Sequence, residues 1–159
     1  MEQMFSYLSH YSFYAYEDEI RQGYLTLEGG HRVGLAGQAV MENEQVKSMR
    51  YIYFMNIRVA KEKKDRKKKI IPYILHQDSI YNTLLVSPPG VGKTTYLRDT
   101  VRLLSNGGNL MEGLRVSVID ERSEIAACHL GMPQNDVGIR TDVLDGCDKA
   151  KGMLMVLRS

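Results

Sequence analysis

Ser87-Pro88-Pro89-Gly90-Val91-Gly92-Lys93-Thr94-Thr95 is the stretch whose reading decides the fold. Glycines at 90 and 92 let the backbone wrap tightly, with its N–H groups turned inward, in conformations that side chains resist. A lysine follows, then two hydroxyls, and helical spacing begins. This arrangement suits the polyphosphate of ATP. Inward amides and the positive end of the next helix hold the negative charge. Lys93 reaches the β- and γ-phosphates as a point charge, Thr94 ligates Mg²⁺, and Thr95 touches the α-phosphate. Pro89, Gly90, Val91, Gly92, Lys93, Thr94 and Thr95 are therefore the expected cofactor-binding residues, for ATP with Mg²⁺. The phosphate-loop consensus is G-x-x-x-x-G-K-[ST], and Ser87 stands where its first glycine belongs. The flanking segments restore the specificity that this departure removes.

Those segments read as strand, loop, helix, strand. Asn82-Thr83-Leu84-Leu85-Val86 is a short apolar run expected to be a strand. From Thr94 to about Ser105 the spacing is helical, with Leu97, Val101 and Leu104 on one face, and Asn106-Gly107-Gly108 stops it. Arg115-Val116-Ser117-Val118-Ile119-Asp120 reads as a second, buried strand. A βαβ unit implies a parallel sheet with its ligand at the carboxyl ends of the strands. Asp120-Glu121-Arg122-Ser123-Glu124 follows directly. Glu121, slightly ahead of Glu124, is a candidate to orient an attacking water or assist Mg²⁺. The competing reading is a helix start capped by Asp120 or Ser123. Asp136 to Asp145 reads as a charged loop, in which Arg140 either senses a γ-phosphate or pairs with Asp142 or Asp145.

The N-terminal part has a different pattern. Residues 1–22 are expected to form a helix with a Tyr/Phe-rich face, ending at Gly23. Tyr24–Glu28 and His31–Val40 alternate, and Gly29-Gly30 between them signals a hairpin. Residues 46–60 read as another strand pair or one long bulged strand. Most of the ten tyrosines precede residue 55 and suit core and interface packing better than base stacking. Lys61 to Lys69 is a basic run, read as a solvated linker, with a nucleic-acid or anionic-lipid patch as the alternative. Residues 70–81 are expected to be a short helix. The division is thus 1–68, a small α+β domain with its basic linker, and 69–159, an α/β nucleotide-binding domain.

Composition narrows the partners. A net charge of +2 does not make the whole chain a polyanion binder. Cys128 and Cys147 lack zinc-ligand spacing, and His10, His31, His76 and His129 form no metal-ligand pairs. A reducing, cytosolic compartment fits that cysteine usage. The N-terminus lacks the apolar stretch of a secretory signal, and nowhere does an apolar run reach bilayer length. GTP is disfavoured because no NKxD guanine-reading motif is present.

Three strings, SPPGVGKTTYLRD (87–99), VIDERSEIAA (118–127) and GMPQNDVGIRTDVLDGCDKAKGMLMVLRS (131–159), closely resemble the stage III sporulation protein AA family. YAYEDEIRQGYLTLEGGHRVGLAGQAV and NIRVA resemble its N-terminal region, and Ser at position 87 is usual there. The resemblance implies a RecA-like P-loop ATPase, similar to the hexameric ATPases of type II and type IV secretion. It implies a homo-oligomer working with membrane channel proteins between mother cell and forespore. The location implied is cytoplasmic, peripheral to a membrane complex in the mother cell, with no nucleic-acid partner. Lys93, Glu121 and Glu124 are its implied catalytic residues, the two glutamates lying where secretion ATPases carry an acidic box. By the same analogy Arg32 and Arg58 reach a nucleotide's phosphates. Family sequences extend beyond both ends and continue past Ser159 into the strand carrying the Walker B aspartate. The parallel sheet is therefore expected to be incomplete, and the chain alone to bind nucleotide poorly and hydrolyse it negligibly. A nucleotide-gated nucleic-acid-binding module, using the N-terminal domain and the basic run, is the alternative function.

Overall fold

The computed structural model describes residues 2–8, 12, 14–61, 70–76, 79–108 and 111–157. The chain forms two compact units, Met1–Lys61 and Glu62–Ser159, each with its own core. Apart from Lys61, the basic run falls outside the described residues.

In the first unit the expected single helix is two helices, α1 (Glu2–Leu8) and α2 (Glu17–Arg21). A 3₁₀ turn at Tyr14–Tyr16 leads into α2, and Tyr16, at φ −119°, is not helical. Tyr14 and Tyr16 in that turn are weaker helix formers than Ala, Leu or Glu. Gly23, at φ 78°, ends α2 by donating its N–H to the Ile20 carbonyl at 3.0 Å.

Strands β1 (Tyr24–Leu27), β2 (His31–Glu42) and β3 (Gln45–Arg58) then form an antiparallel sheet in sequence order. The Gly-Gly signal holds: Gly29 and Gly30 turn the chain at φ 79° and 74°. At the next hairpin Asn43 and Glu44 both have positive φ, as a two-residue turn between twisted strands demands. The long strand anticipated over 46–60 is β3, and it is bulged. Pairing passes from Ala36↔Phe54 to Gln38↔Arg50, so a single residue of β2, Gly37, opposes several of β3. Leu25, Val33 and Leu35 form the buried face, covered by Tyr16 and Ile20 and flanked by Met49, Ile52 and Met55.

The second unit opens with α3 (Ile71–Ile74) and a two-strand hairpin, β4 (Leu75–His76) with β5 (Ser79–Ile80). This replaces the single helix expected over 70–81, because Leu75 turns extended at ψ 138°. The strand expected at 82–86 pairs with none of the described strands. Leu84 and Val86 are 86% and 77% exposed, so this apolar run has neither the ladder nor the cover that makes a strand.

Helix α4 (Lys93–Asn106) matches the expected span, with Val101 and Leu104 buried. Gly107, at φ 70°, closes it by donating to the Leu103 carbonyl at 2.9 Å. Strand β6 (Val116–Asp120) pairs in parallel with β7 (Thr141–Asp145), so the second half of the expected charged loop is a strand. Its register aligns Val118 with Val143 and Asp120 with Asp145. Val101 of α4 packs with Val118, Ala126, Cys128 and Val137 into one core. Helix α5 (Lys149–Val156) is capped by Asp148, whose Oδ1 accepts from the Lys151 N–H at 3.1 Å. Gly152 seats it on the parallel pair: a Cβ there would lie 2.6 Å from Ile119 Cγ2. The protein is thus a mixed α/β fold whose small sheets include one parallel pair. Among the described residues no helix is long and apolar enough to cross a membrane.

Two predictions arise from the first unit. A Cβ on Gly37 would meet the Tyr51 and Arg50 carbonyl oxygens at 2.7 and 2.8 Å, backbone atoms that cannot step aside. Gly37→Ala is expected to cost about 1–3 kcal/mol, measured as a fall in urea midpoint at unchanged slope. Burial, aided by the charge of Glu19, raises the Tyr16 hydroxyl above its ordinary pKa of 10.0. Its stabilising contribution is complete below pH 10 and is lost as pH climbs through the folded-state value. Thermal melts from pH 9 to 12 should therefore show a shallower alkaline decline for Tyr16→Phe than for the parent.

Candidate functional site

The 87–95 loop reaches α4 through Gly90 and Gly92, at φ 79° and 92°. Around Gly90 a Cβ would meet nothing within 4 Å, so the dihedral, not crowding, calls for glycine there. Gly92 is the N-cap of α4 and carries no side chain to satisfy the first-turn amides. Those N–H groups have no intrahelical partners, and the helix dipole adds positive potential in front of them. Lys93, exposed at the first helical position, is the residue whose ammonium adds to that potential. Val91 is 59% exposed, Pro89 and Gly90 are exposed, and Thr94 and Thr95 are half-buried.

An open cleft of about 350 Å³ lies beside this helix start. Lys93, Thr94 and Leu97 line one side, and Asp120, Glu121, Arg122, Glu124 and Lys149 line it from β6, the following turn and α5. The structure therefore gathers Lys93, Thr94, Glu121 and Glu124 around one space.

Asp120 is 3% exposed, and its carboxylate accepts the backbone N–H groups of Glu124, Ile125 and Ala126 at 3.0, 2.8 and 2.9 Å. The capping role is real, but the capped segment is an irregular turn, and no helix follows before β7. Ser123, at φ 49°, accepts the Cys128 N–H on its Oγ at 2.9 Å and continues the same wrap. Arg98 on α4 ties this turn to the helix, donating to the carbonyls of Ile125 and Glu124 at 2.5 and 2.7 Å. Glu121 and Glu124 thus stand on a backbone held from two sides.

Glu121 has a partner that the sequence reading missed: Lys149 Nζ donates to its Oε2 at 2.6 Å. The local signal was an Asp148 cap opening a helix, with Gly152 four residues further on. The pairing itself joins residues 28 apart and is not written in either neighbourhood.

Arg140 is not brought to this cleft. Its N–H donates to Ser105 Oγ at 2.7 Å and its Nη1 to the Ser105 carbonyl at 3.3 Å, at the far end of α4. Twelve rises of 1.5 Å place that end about 18 Å from Lys93. The expected pairing with Asp142 or Asp145 is replaced by a staple onto the helix terminus. Gly138 makes the close approach possible, since a Cβ there would lie 2.5 Å from Ser105 Cβ. Arg32 and Arg58 belong to the other unit, where Arg32 lies over the Tyr24 ring at 3.6 Å and Arg58 is exposed.

By fold and site this is a mixed α/β protein with a glycine-loop helix start facing an acidic turn. Over residues 1–159 it matches the family described as Sporulation stage III, protein AA, and the chain belongs to that family. It is 50% identical over 154 residues to Stage III sporulation protein AA of Bacillus subtilis (strain 168), a match covering 97% of this chain. The chain spans 50% of the length of that relative. No solved structure matches it.

Removing the Asp120 carboxylate leaves the N–H groups of Glu124, Ile125 and Ala126 without their acceptor inside the protein. Asp120→Ala is expected to destabilise the second unit by about 3 kcal/mol. Chemical denaturation gives the magnitude. Hydrogen exchange gives the location, as faster exchange at the Ile125 and Ala126 amides.

Proposed function

We infer that the chain is the nucleotide-binding part of an ATPase, holding Mg²⁺-ATP at the 87–95 loop, and that in the whole protein Glu121 or Glu124 stands near the attacking water. The observation that carries this reading is the uncapped start of α4. Two left-handed glycines, an exposed Lys93 and the Thr94 hydroxyl meet there at the mouth of a cleft with acidic residues opposite. First-turn amides, a dipole and one ammonium suit a polyphosphate; the threonine oxygen suits its Mg²⁺. Glu121 and Glu124 reach the same space from a turn held in place by Asp120 and Arg98.

The resident chemistry divides by residue. Gly90 and Gly92 shape the backbone, Lys93 neutralises β/γ charge, Thr94 offers a metal ligand, and the acidic turn polarises water. When bound, Mg²⁺ supplies Lewis-acid polarisation of the phosphates. The RecA-like P-loop architecture is part of this proposal, supported by the glycine loop that opens α4 and by the parallel pair β6 and β7 that follows it. So are the wider assignments drawn from family likeness. These comprise a hexameric motor, work with membrane channel proteins between mother cell and forespore, and a peripheral cytoplasmic position in the mother cell. The Bacillus subtilis relative is named as a stage III sporulation protein, which supports a part in sporulation.

Displacement of a fluorescent ATP analogue from the chain, in the presence of Mg²⁺, tests the reading. Lys93→Ala is expected to weaken ATP binding about 10- to 100-fold, the worth of a charged hydrogen-bonded contact. Thr94→Ala should remove most of the Mg²⁺ dependence and leave metal-free binding nearly unchanged. Equal affinities for the parent and Lys93→Ala would refute the assignment.

A further inference from the structure

Lys149 holds the carboxylate that the sequence reading ranked first, and it does so at the edge of the cleft that Lys93 enters. The Lys149–Glu121 contact is 2.6 Å, yet the two side chains are 70% and 40% exposed. A pair this wet prefers its closed form by no more than about fivefold. Its lysine is therefore available to a stronger anion. The terminal phosphate of a nucleoside triphosphate is such an anion, with more charge and more acceptor oxygens than one carboxylate.

The backbone around the pair is well fixed, which separates a mobile ammonium from a mobile helix. Gly152 seats α5 against Ile119 and Leu144, and Asp148 caps the turn that carries Lys149. Glu121 directly follows Asp120, whose carboxylate is bound by the amides of residues 124 to 126. What can move is the four-carbon stem of the lysine, and Lys149 lines the same cleft as Lys93 and Thr94.

We propose that Lys149 is a second phosphate-binding cation of this cleft, selective for nucleoside triphosphates over diphosphates, and that Glu121 occupies it when no terminal phosphate is present. The proposal rests on the nucleotide reading of the 87–95 loop. Exchange of partners leaves Glu121 unpaired at the moment a γ-phosphate arrives. Its carboxylate is then free to hold a water in the loaded cleft and engaged by the lysine ammonium in the empty one. Lys149 acts as the sensor, and Glu121 reports its state.

The test compares Mg²⁺-ATP with Mg²⁺-ADP by competition against one fluorescent nucleotide at fixed low salt, on the full chain. Lys149→Ala should weaken ATP about tenfold and ADP less than about twofold, since only ATP presents the extra phosphate. Lys149→Arg keeps the charge and should retain the discrimination. Glu121→Gln frees the lysine in advance and should tighten ATP about two- to fivefold. That last variant reports on the exchange even where Lys149→Ala folds poorly. Should Lys93→Ala weaken both nucleotides while the Lys149 and Glu121 variants bind ATP and ADP like the parent, the sensor is refuted and the loop assignment stands. Should Lys93→Ala itself change nothing, the loop assignment falls and the sensor falls with it.

Discussion

One buried carboxylate organises the second unit. Asp120 closes β6 at 3% exposure, and a carboxylate so placed is tolerable only when its oxygens are occupied. The backbone amides of residues 124 to 126 occupy them, which forces the chain to curl back at once after the strand. Parallel strands are commonly joined through a helix, yet the connection from β6 to β7 contains none. The curl around Asp120 supplies the order that a helix would have given. It also sets Ala126 and Cys128 at 0% and 2% exposure against Val101 and Val118, so the polar anchor and the apolar core are one arrangement.

Local chemistry made much of this legible beforehand. The Gly29-Gly30 hairpin, the bulged β3 and the span of α4 each depend on residues within a few positions of one another. Periodicity and glycine placement therefore reveal them. Segment 82–86 failed for the opposite reason. Whether an apolar pentapeptide is a strand depends on a neighbour to pair with, and its own residues hold no record of that neighbour. Strand β7 was hidden because Thr141, Asp142 and Asp145 give it the polarity of a loop, although Val143 and Leu144 pair squarely with Val118 and Ile119.

The site divides in the same way. Lys93, Thr94, Glu121 and Glu124 were readable because each follows a strand or glycine turn by a fixed short count. They do line one cleft. Arg140 was misplaced because its surroundings held two acids, whereas its bonds go to Ser105, 35 positions earlier in the chain. Lys149 went unnoticed because its importance comes from Gly152, a residue with no side chain, letting α5 settle close to Ile119. Family membership fixes the kinship of these residues. Their geometry is what turns kinship into chemistry.

Arg98 gives this geometry a mechanical meaning. Its guanidinium bridges from the second turn of α4 to two successive carbonyls of the acidic turn, at 2.5 and 2.7 Å. The fork is planar, so its two donors hold the two successive carbonyls in one fixed relation to each other. Bending either wall without the other would break both bonds together. The two walls are therefore tied together at this point, and the groups best placed to adapt to an incoming molecule are the long exposed side chains along the rim of the cleft.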